Sequence, residues 1–228
     1  MLILALDTSG DSLSVSILEN KKIISKIYVK NKNFHSEKIL SCTQDIIKNS
    51  GYELKNIDLF AVCNGPGSFT GIRVGMAFIK GMAFMLEKPC IGISSLLALA
   101  YQFKFSEQEI IYSCLYANQD EIYFNSYINK IEKNSLKIYQ NQSDGFFKIS
   151  ELEKKAKNEE KKIIFVGNMA EVCYNKIAAT CSNAHKFYDT NVDSDYIGQA
   201  AYDEYSSNDY LSKKLEANYI KSSRAEKI

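Results

Sequence analysis

LFAVCNGPGSFTGIRVG, residues 59–75, joins a continuous apolar run to a glycine-rich turn and then to a long apolar segment of helical character. An apolar run without alternation marks a strand buried on both faces, as in a parallel sheet flanked by helices. The turn therefore lies at a strand-to-helix junction, where helix amides commonly hold phosphate. Neither nucleotide fingerprint is met, however. A Walker A loop needs a lysine after its last glycine, and Gly71 is followed by Ile72 and Arg73; G-x-G-x-x-G fails because Thr70 stands three residues after Gly67. What remains is a tight Gly65-Pro66-Gly67 turn, Ser68 as N-cap, and amides that could bind an anion.

Outward from this junction the periodicities repeat. LILAL (2–6), SLSVSIL (12–18) and KIISKIYV (22–29) form a meander. A helix over 35–49 carries Ile39, Leu40, Thr43, Ile46 and Ile47 on one face and stops at Gly51. Strand 58–63, helix 69–86, strand 89–93 and a helix to about 103 complete the half. The second half predicts strands 110–116, 121–128 and 135–140, helix 150–160, strand 163–167, helix 169–179, strand 185–188 and helix 196–207. Both halves read βββαβαβα, which gives two RNase H-like α/β lobes, 1–104 and 105–228, with the last helix expected to pack back on the first. Two such lobes are the plan of the actin, hexokinase and Hsp70 superfamily, in which ATP lies in the cleft.

With 28 Lys+Arg against 27 Asp+Glu, no global field advertises nucleic acid or basic partners. Cys42, Cys63, Cys90, Cys114, Cys173 and Cys181 are scattered without C-x-x-C spacing, as expected of reduced cytosolic thiols. The N-terminus lacks a basic n-region, and the apolar stretch 72–86 is broken by Arg73 and Lys80, so a cytoplasmic protein without membrane spans is expected.

In that superfamily the first hairpin turn of each lobe touches phosphate, and an acid at the strand end helps to hold a metal. Asp7-Thr8-Ser9-Gly10 supplies such a turn, so Asp7, Thr8, Ser9, Gly65, Gly67, Ser68 and Thr70 are the candidate nucleotide or anion ligands. An Asx-type turn capping the hairpin is the alternative. The matching turn of the second half, Tyr116-Ala117-Asn118-Gln119-Asp120, has no acid after the strand and no glycine, so one phosphate clamp is missing.

ILALDTS, GPGSFTGIRVG and PCIGISSL together resemble the bacterial TsaB (YeaZ) family, a subunit of the machinery that places threonylcarbamoyl on tRNA adenosine beside the anticodon. The resemblance spans residues 1 to about 100. Beyond that it rests on element order and Glu121-Ile122-Tyr123; a family pattern Asp-Ala-Arg reads Tyr116-Ala117-Asn118, and the C-terminal Glu-Pro-x-Tyr-Leu-Arg is blurred to Ala217-Asn218-Tyr219-Ile220-Lys221. The resemblance implies a TsaD-like transferase partner of the same fold, a TsaE-like ATPase, a homodimer when the chain is alone, and contact with tRNA through the complex. It implies no cofactor of the chain's own, with ATP or ADP at the joint interface as a further expectation. In the transferase two metal-binding histidines open a helix that here begins Ser94-Ser95-Leu96; Ser95 and Leu99 take the ligand positions, and neither replaces an imidazole. The chain's own histidines, His35 and His185, lie far apart in sequence.

Helix 69–86 gathers Arg73, Lys80 and Glu87 in one strip and is otherwise apolar nearly all round. Cover from the chain's own helices would explain this. A helical bundle with another lobe is the alternative preferred here, with His35, Ile39, Gly71, Ile72, Arg73, Gly75, Met76, Ala77, Lys80 and Phe84 expected in the contact. Together with the resemblance, which implies a separate transferase, this makes a supporting, non-catalytic subunit the expected function. The runner-up is a self-sufficient ATP-dependent kinase or hydrolase using Asp7 with the loops at Gly65 and Gly167-Asn168.

Overall fold

The structure, a computed structural model, describes residues 1–30, 35–103, 106–132, 135–206 and 215–220. Two units emerge, one from Met1–Ala98 with Val192–Tyr219, the other from Leu99–Asn191. The expected division at 104/105 is thereby corrected: residues 192–219 belong to the first unit.

In the first unit β1 (Leu2–Asp7), β2 (Ser12–Glu19) and β3 (Lys22–Lys30) form the antiparallel meander, and β4 (Leu59–Gly65) and β5 (Cys90–Ser94) add in parallel to β1, giving the order β3-β2-β1-β4-β5. Strand alternation divides the residues between two faces. Leu4, Leu6, Val15, Ile17, Phe60 and Val62 face α1 (His35–Ser50) and α2 (Phe69–Met85), from which Ile46, Ile72 and Ile79 complete the core. Each such side chain contributes roughly 1.5–3 kcal/mol on burial.

The opposite face carries Ser14, Ser16 and Leu18 against α6 (Ser194–Ser206), where Gly198 leaves no room for a Cβ beside Leu18. Polar bonds fix the start of α6. Ser194 N donates to Ser14 Oγ at 2.9 Å, Ser16 Oγ donates to Asp195, and Lys26 Nζ reaches Asp193 at 2.5 Å and Asp195 at 2.7 Å. Partial burial opposes the Lys26 charge, yet the bonds to the two aspartates outweigh it and hold the ammonium above its usual range.

The second unit repeats the plan. The strands β6 (Glu109–Asn118), β7 (Glu121–Glu132), β8 (Ser135–Gln140), β10 (Lys162–Val166) and β11 (Ala184–Tyr188) take the order β11-β10-β6-β7-β8, with α4 (Ile149–Lys157) and α5 (Ala170–Ala178) over a core of Ile110, Tyr112, Phe124 and Phe165. One strand was not expected: β9 (Gly145–Lys148) pairs with the first four residues of β7 while β8 pairs with the last six. The third strand of the meander is thus split in two. A short α3 (Ser95–Tyr101) follows β5.

Gly71 sits where an added Cβ would lie 1.9 Å from the Thr8 carbonyl oxygen, a backbone atom that cannot swing aside. Gly81, ten residues along the same helix, has nothing within 4 Å of that position. Gly71→Ala is expected to destabilise by about 1–3 kcal/mol or more through forced displacement, whereas Gly81→Ala should stabilise by about 0.5–1 kcal/mol through helix propensity. Urea midpoints of the two variants measure the contrast, and equal midpoints would refute the close approach.

Candidate functional site

The hairpin turn and the glycine loop meet, but they fill one another. Thr8 Oγ1 donates to the Gly71 carbonyl at 2.7 Å, Ser68 N donates to the Ser9 carbonyl at 2.7 Å, and Ser68 Oγ caps α2 by accepting from Gly71 N at 3.3 Å. Gly67 lies so close to Ser9 that a Cβ would fall 2.4 Å from its carbonyl oxygen. The Gly65-Pro66 peptide is cis, and Ser95 Oγ donates to the Pro66 carbonyl. Thr8 is fully buried, and Gly65 and Gly71 are buried too, while Gly67, Ser68 and Thr70 remain exposed.

Asp7 points elsewhere. Leu2, Leu4 and Leu6 join the α1–α2 core, so alternation turns Asp7 to the other face of the sheet, beside Cys63. Its Oδ1 accepts from Ser9 N at 3.0 Å and Ser9 Oγ at 2.7 Å, the Asx-type turn raised as the alternative; its Oδ2 is buried without a hydrogen-bond partner. Burial raises the carboxyl above its ordinary range, against the Ser9 bonds that lower it. Burial likewise pushes the Cys63 thiol up, and the nearby Asp7 carboxylate adds to it. The seven candidate anion ligands therefore do not converge on one open cradle.

The second unit is built the same way. A Cβ on Gly167 would lie 2.2 Å from the Cys114 carbonyl oxygen, and Asn168 Oδ1 accepts from Tyr116 N at 2.9 Å. This loop too is packed onto its own hairpin. Among the described residues no group of three His, Cys, Asp or Glu side chains is placed to hold a metal ion.

The open surface lies along α2. Ile72, Met76, Ile79 and Ala83 enter the core, Val74, Phe78, Met82 and Leu86 pack at its edge, and Arg73, Ala77, Lys80, Gly81, Phe84 and Met85 stay exposed. Phe84 is 88% exposed and Met85 66%, values that mark an uncovered apolar patch rather than an edge of the core. This corrects the expected contact set: Ile39 of α1 and Gly71, Ile72, Gly75 and Met76 of α2 are buried within the unit, on the sides that the two helices turn to the core. Arg73, Ala77, Lys80 and Phe84 stand on the surface. His35 opens α1, and its side chain lies outside the described residues.

Residues 215–219, which include the start of the blurred C-terminal family pattern at Ala217, run beside α2 and form with it a groove of about 450 Å³ lined by Arg73, Ala77, Lys80, Glu216 and Tyr219. Asn64 Nδ2 donates to the Glu216 carbonyl at 3.0 Å and Asn218 N donates to the Asn64 carbonyl at 2.8 Å, which pins the segment. Arg73 Nε donates to Tyr219 Oη at 2.7 Å; its guanidinium lies 3.6 Å from the centre of the Phe69 ring and 5.6 Å from that of Tyr219. The cation is held by aromatic faces.

Two sheets of this order, each a meander extended by parallel crossovers, define the α/β class expected from the sequence. A family model described as TsaD, tRNA N6-adenosine threonylcarbamoyltransferase, matches residues 22–222. The chain is 36% identical over 131 residues to the tRNA threonylcarbamoyladenosine biosynthesis protein TsaB of Haemophilus influenzae, covering 56% of this chain and 54% of that protein. It is 32% identical over 169 residues to the protein of that name from Buchnera aphidicola subsp. Schizaphis graminum, covering 73% and 78%. YeaZ from Pseudomonas aeruginosa shares the fold, with a TM-score of 0.71 and 20% identity over 96% of this chain and 98% of that one. The chain belongs to the TsaB (YeaZ) family. Its match to the H. influenzae protein spans about half of that protein's length.

Because burial raises the Asp7 carboxyl, its contribution to stability is complete below the unfolded value, near 3.8, and is lost as pH rises through the folded value. The stability difference between wild type and Asp7→Asn should therefore shift in favour of the variant between about pH 3 and about pH 7. Urea titrations across that range read the difference; one that does not change with pH would count against a buried, reluctantly ionised Asp7.

Proposed function

We propose that this chain is a non-catalytic subunit of the tRNA threonylcarbamoyladenosine system, and that the exposed stripe of α2 is the face on which it carries a TsaD-like transferase. The observation that supports this most is the stripe itself: Arg73, Ala77, Lys80 and Phe84 recur at helical spacing on one open side of a helix whose other side is buried. Ala77 at its middle leaves a low point over which a second helix can close. Family membership supplies the pathway, since the relatives compared above are named for threonylcarbamoyladenosine biosynthesis.

The non-catalytic part of the reading is supported by residues. Ser95 and Leu99 stand where the resemblance places the transferase's histidine pair; the Ser95 hydroxyl is committed to the Pro66 carbonyl, and Leu99 is fully buried. The independent ATP-enzyme reading would need Asp7 open to a ligand, yet it is buried, with one oxygen bonded to Ser9, on the face away from α2. Recruitment of a TsaE-like ATPase, a homodimer in the absence of the transferase, and tRNA contact made through the complex complete the proposal.

Ala77→Arg should weaken association with the purified transferase subunit by about 100-fold or more, as for a central interface position, while leaving the circular dichroism and urea midpoint of the isolated chain unchanged. Threonylcarbamoyl transfer to tRNA, reconstituted with and without this chain, should fall in parallel. Appreciable ATP turnover by the chain alone with Mg²⁺, lost in Asp7→Ala, would sink the reading.

A further inference from the structure

We propose that the charge pattern of α2 selects a partner helix carrying carboxylates and makes a second copy of this chain the weaker partner, one that pairs only when the first is absent. The proposal rests on the reading of the α2 stripe as the partner face and names what that face recognises.

Residues 69–85 contain no Asp or Glu, and Arg73 and Lys80 are the two charges on the helix. They are seven residues apart on the exposed side, about 10.5 Å along the axis. Among the described residues neither is ion-paired, although Glu216 lines the same groove. Arg73 is also held in place: Phe69 and Tyr219 lie against its guanidinium and the Tyr219 hydroxyl takes Nε, a bond that does not use the two terminal nitrogens. A planar fork with reduced freedom suits bidentate capture of a carboxylate. The neighbouring helix α1 exposes both signs, with Glu37, Lys38, Asp45 and Lys48, so it does not offset the one-signed ridge.

A two-fold contact places the same patch against itself. If two α2 helices pair antiparallel about Ala77, Arg73 of one faces Gly81 of the other and lies beside its Lys80, twice over. If they pair parallel, Arg73 meets Arg73 and Lys80 meets Lys80. Either arrangement brings like charges together across an apolar contact, where repulsion is least screened. A partner helix with Asp or Glu at the matching positions turns both contacts into attraction. The occupant is therefore a helix of a different protein, apolar at its centre opposite Ala77 and acidic about one turn to either side; under the proposed function it belongs to the transferase subunit.

Salt separates the two associations. Using the full chain and the purified transferase subunit encoded in the same genome, heteromer affinity by calorimetry should fall about tenfold or more between about 50 and 500 mM salt, while self-association by sedimentation should hold or strengthen. Arg73→Glu combined with Lys80→Glu should weaken the heteromer about 100-fold. The same variant mixed with wild type should form mixed dimers of this chain more tightly than either forms alone. Arg73→Met with Lys80→Met, which keeps the aliphatic bulk, should fall between, and circular dichroism verifies folding. A heteromer indifferent to salt and to charge reversal, yet abolished by Ala77→Arg, would overturn charge selection and leave the partner face standing. Failure of wild type to bind the transferase subunit at any salt would overturn both.

Discussion

The Thr8 carbonyl oxygen occupies the space that a side chain at position 71 would need. That single exclusion brings the first hairpin turn against the start of α2, lets Thr8 Oγ1 bond the Gly71 carbonyl, and sets the direction in which the helix leaves the sheet. Everything on α2 follows from that direction. With its first turn anchored, the core takes Ile72, Met76, Ile79 and Ala83, and the opposite ridge has nowhere to go but outward. The second unit places Gly167 against the Cys114 carbonyl in the same way, so the constraint belongs to the repeated fold more than to one site.

The same contact shows a second use for glycines in a loop after a buried strand, close packing onto a neighbouring turn. Phosphate cradles work because backbone amides face an empty concavity. In this loop Ser68 N is spent on the Ser9 carbonyl and Gly71 N on the Ser68 hydroxyl, so two of the amides at the start of α2 are satisfied internally. Sequence could show that glycines were needed but not what approached them. Missing side chains are equally consistent with a ligand and with a neighbouring turn, and only the fold says that the neighbour is Ser9.

Much of the fold was legible because burial on two faces and helical amphipathicity leave strong periodic traces: β1, β2, β4, α1 and α2 lie within a residue or two of their expected limits. β9 left none, since four residues after Ser143-Asp144 are too few to show alternation. The unit boundary was misplaced for a related reason. Composition marks where a chain is polar, not where it returns, and the return of 192–219 is written in the pairing of Ser14 and Ser16 with Ser194 and Asp195, far apart in sequence. On α2 the helical projection found the charged strip but could not tell which apolar flank the sheet would take, which is why Met76 was assigned outward and is buried.

Arg73 shows how tertiary structure can hold a charge ready without cancelling it. An internal carboxylate would fix the side chain equally well but would neutralise it for any partner. Two aromatic rings and a phenol oxygen fix it while leaving the positive charge and the outer nitrogens in place. One of those rings comes from Phe69, a turn earlier on the helix, the other from Tyr219, 146 residues away. The segment over 215–219 therefore does for the exposed ridge what Thr8 does for the buried one: it fixes a position on α2 from outside the helix. A surface whose shape is set by a backbone exclusion and whose charge is set by aromatic packing is specified before any partner arrives, and preorganisation of that kind lowers the ordering cost of association.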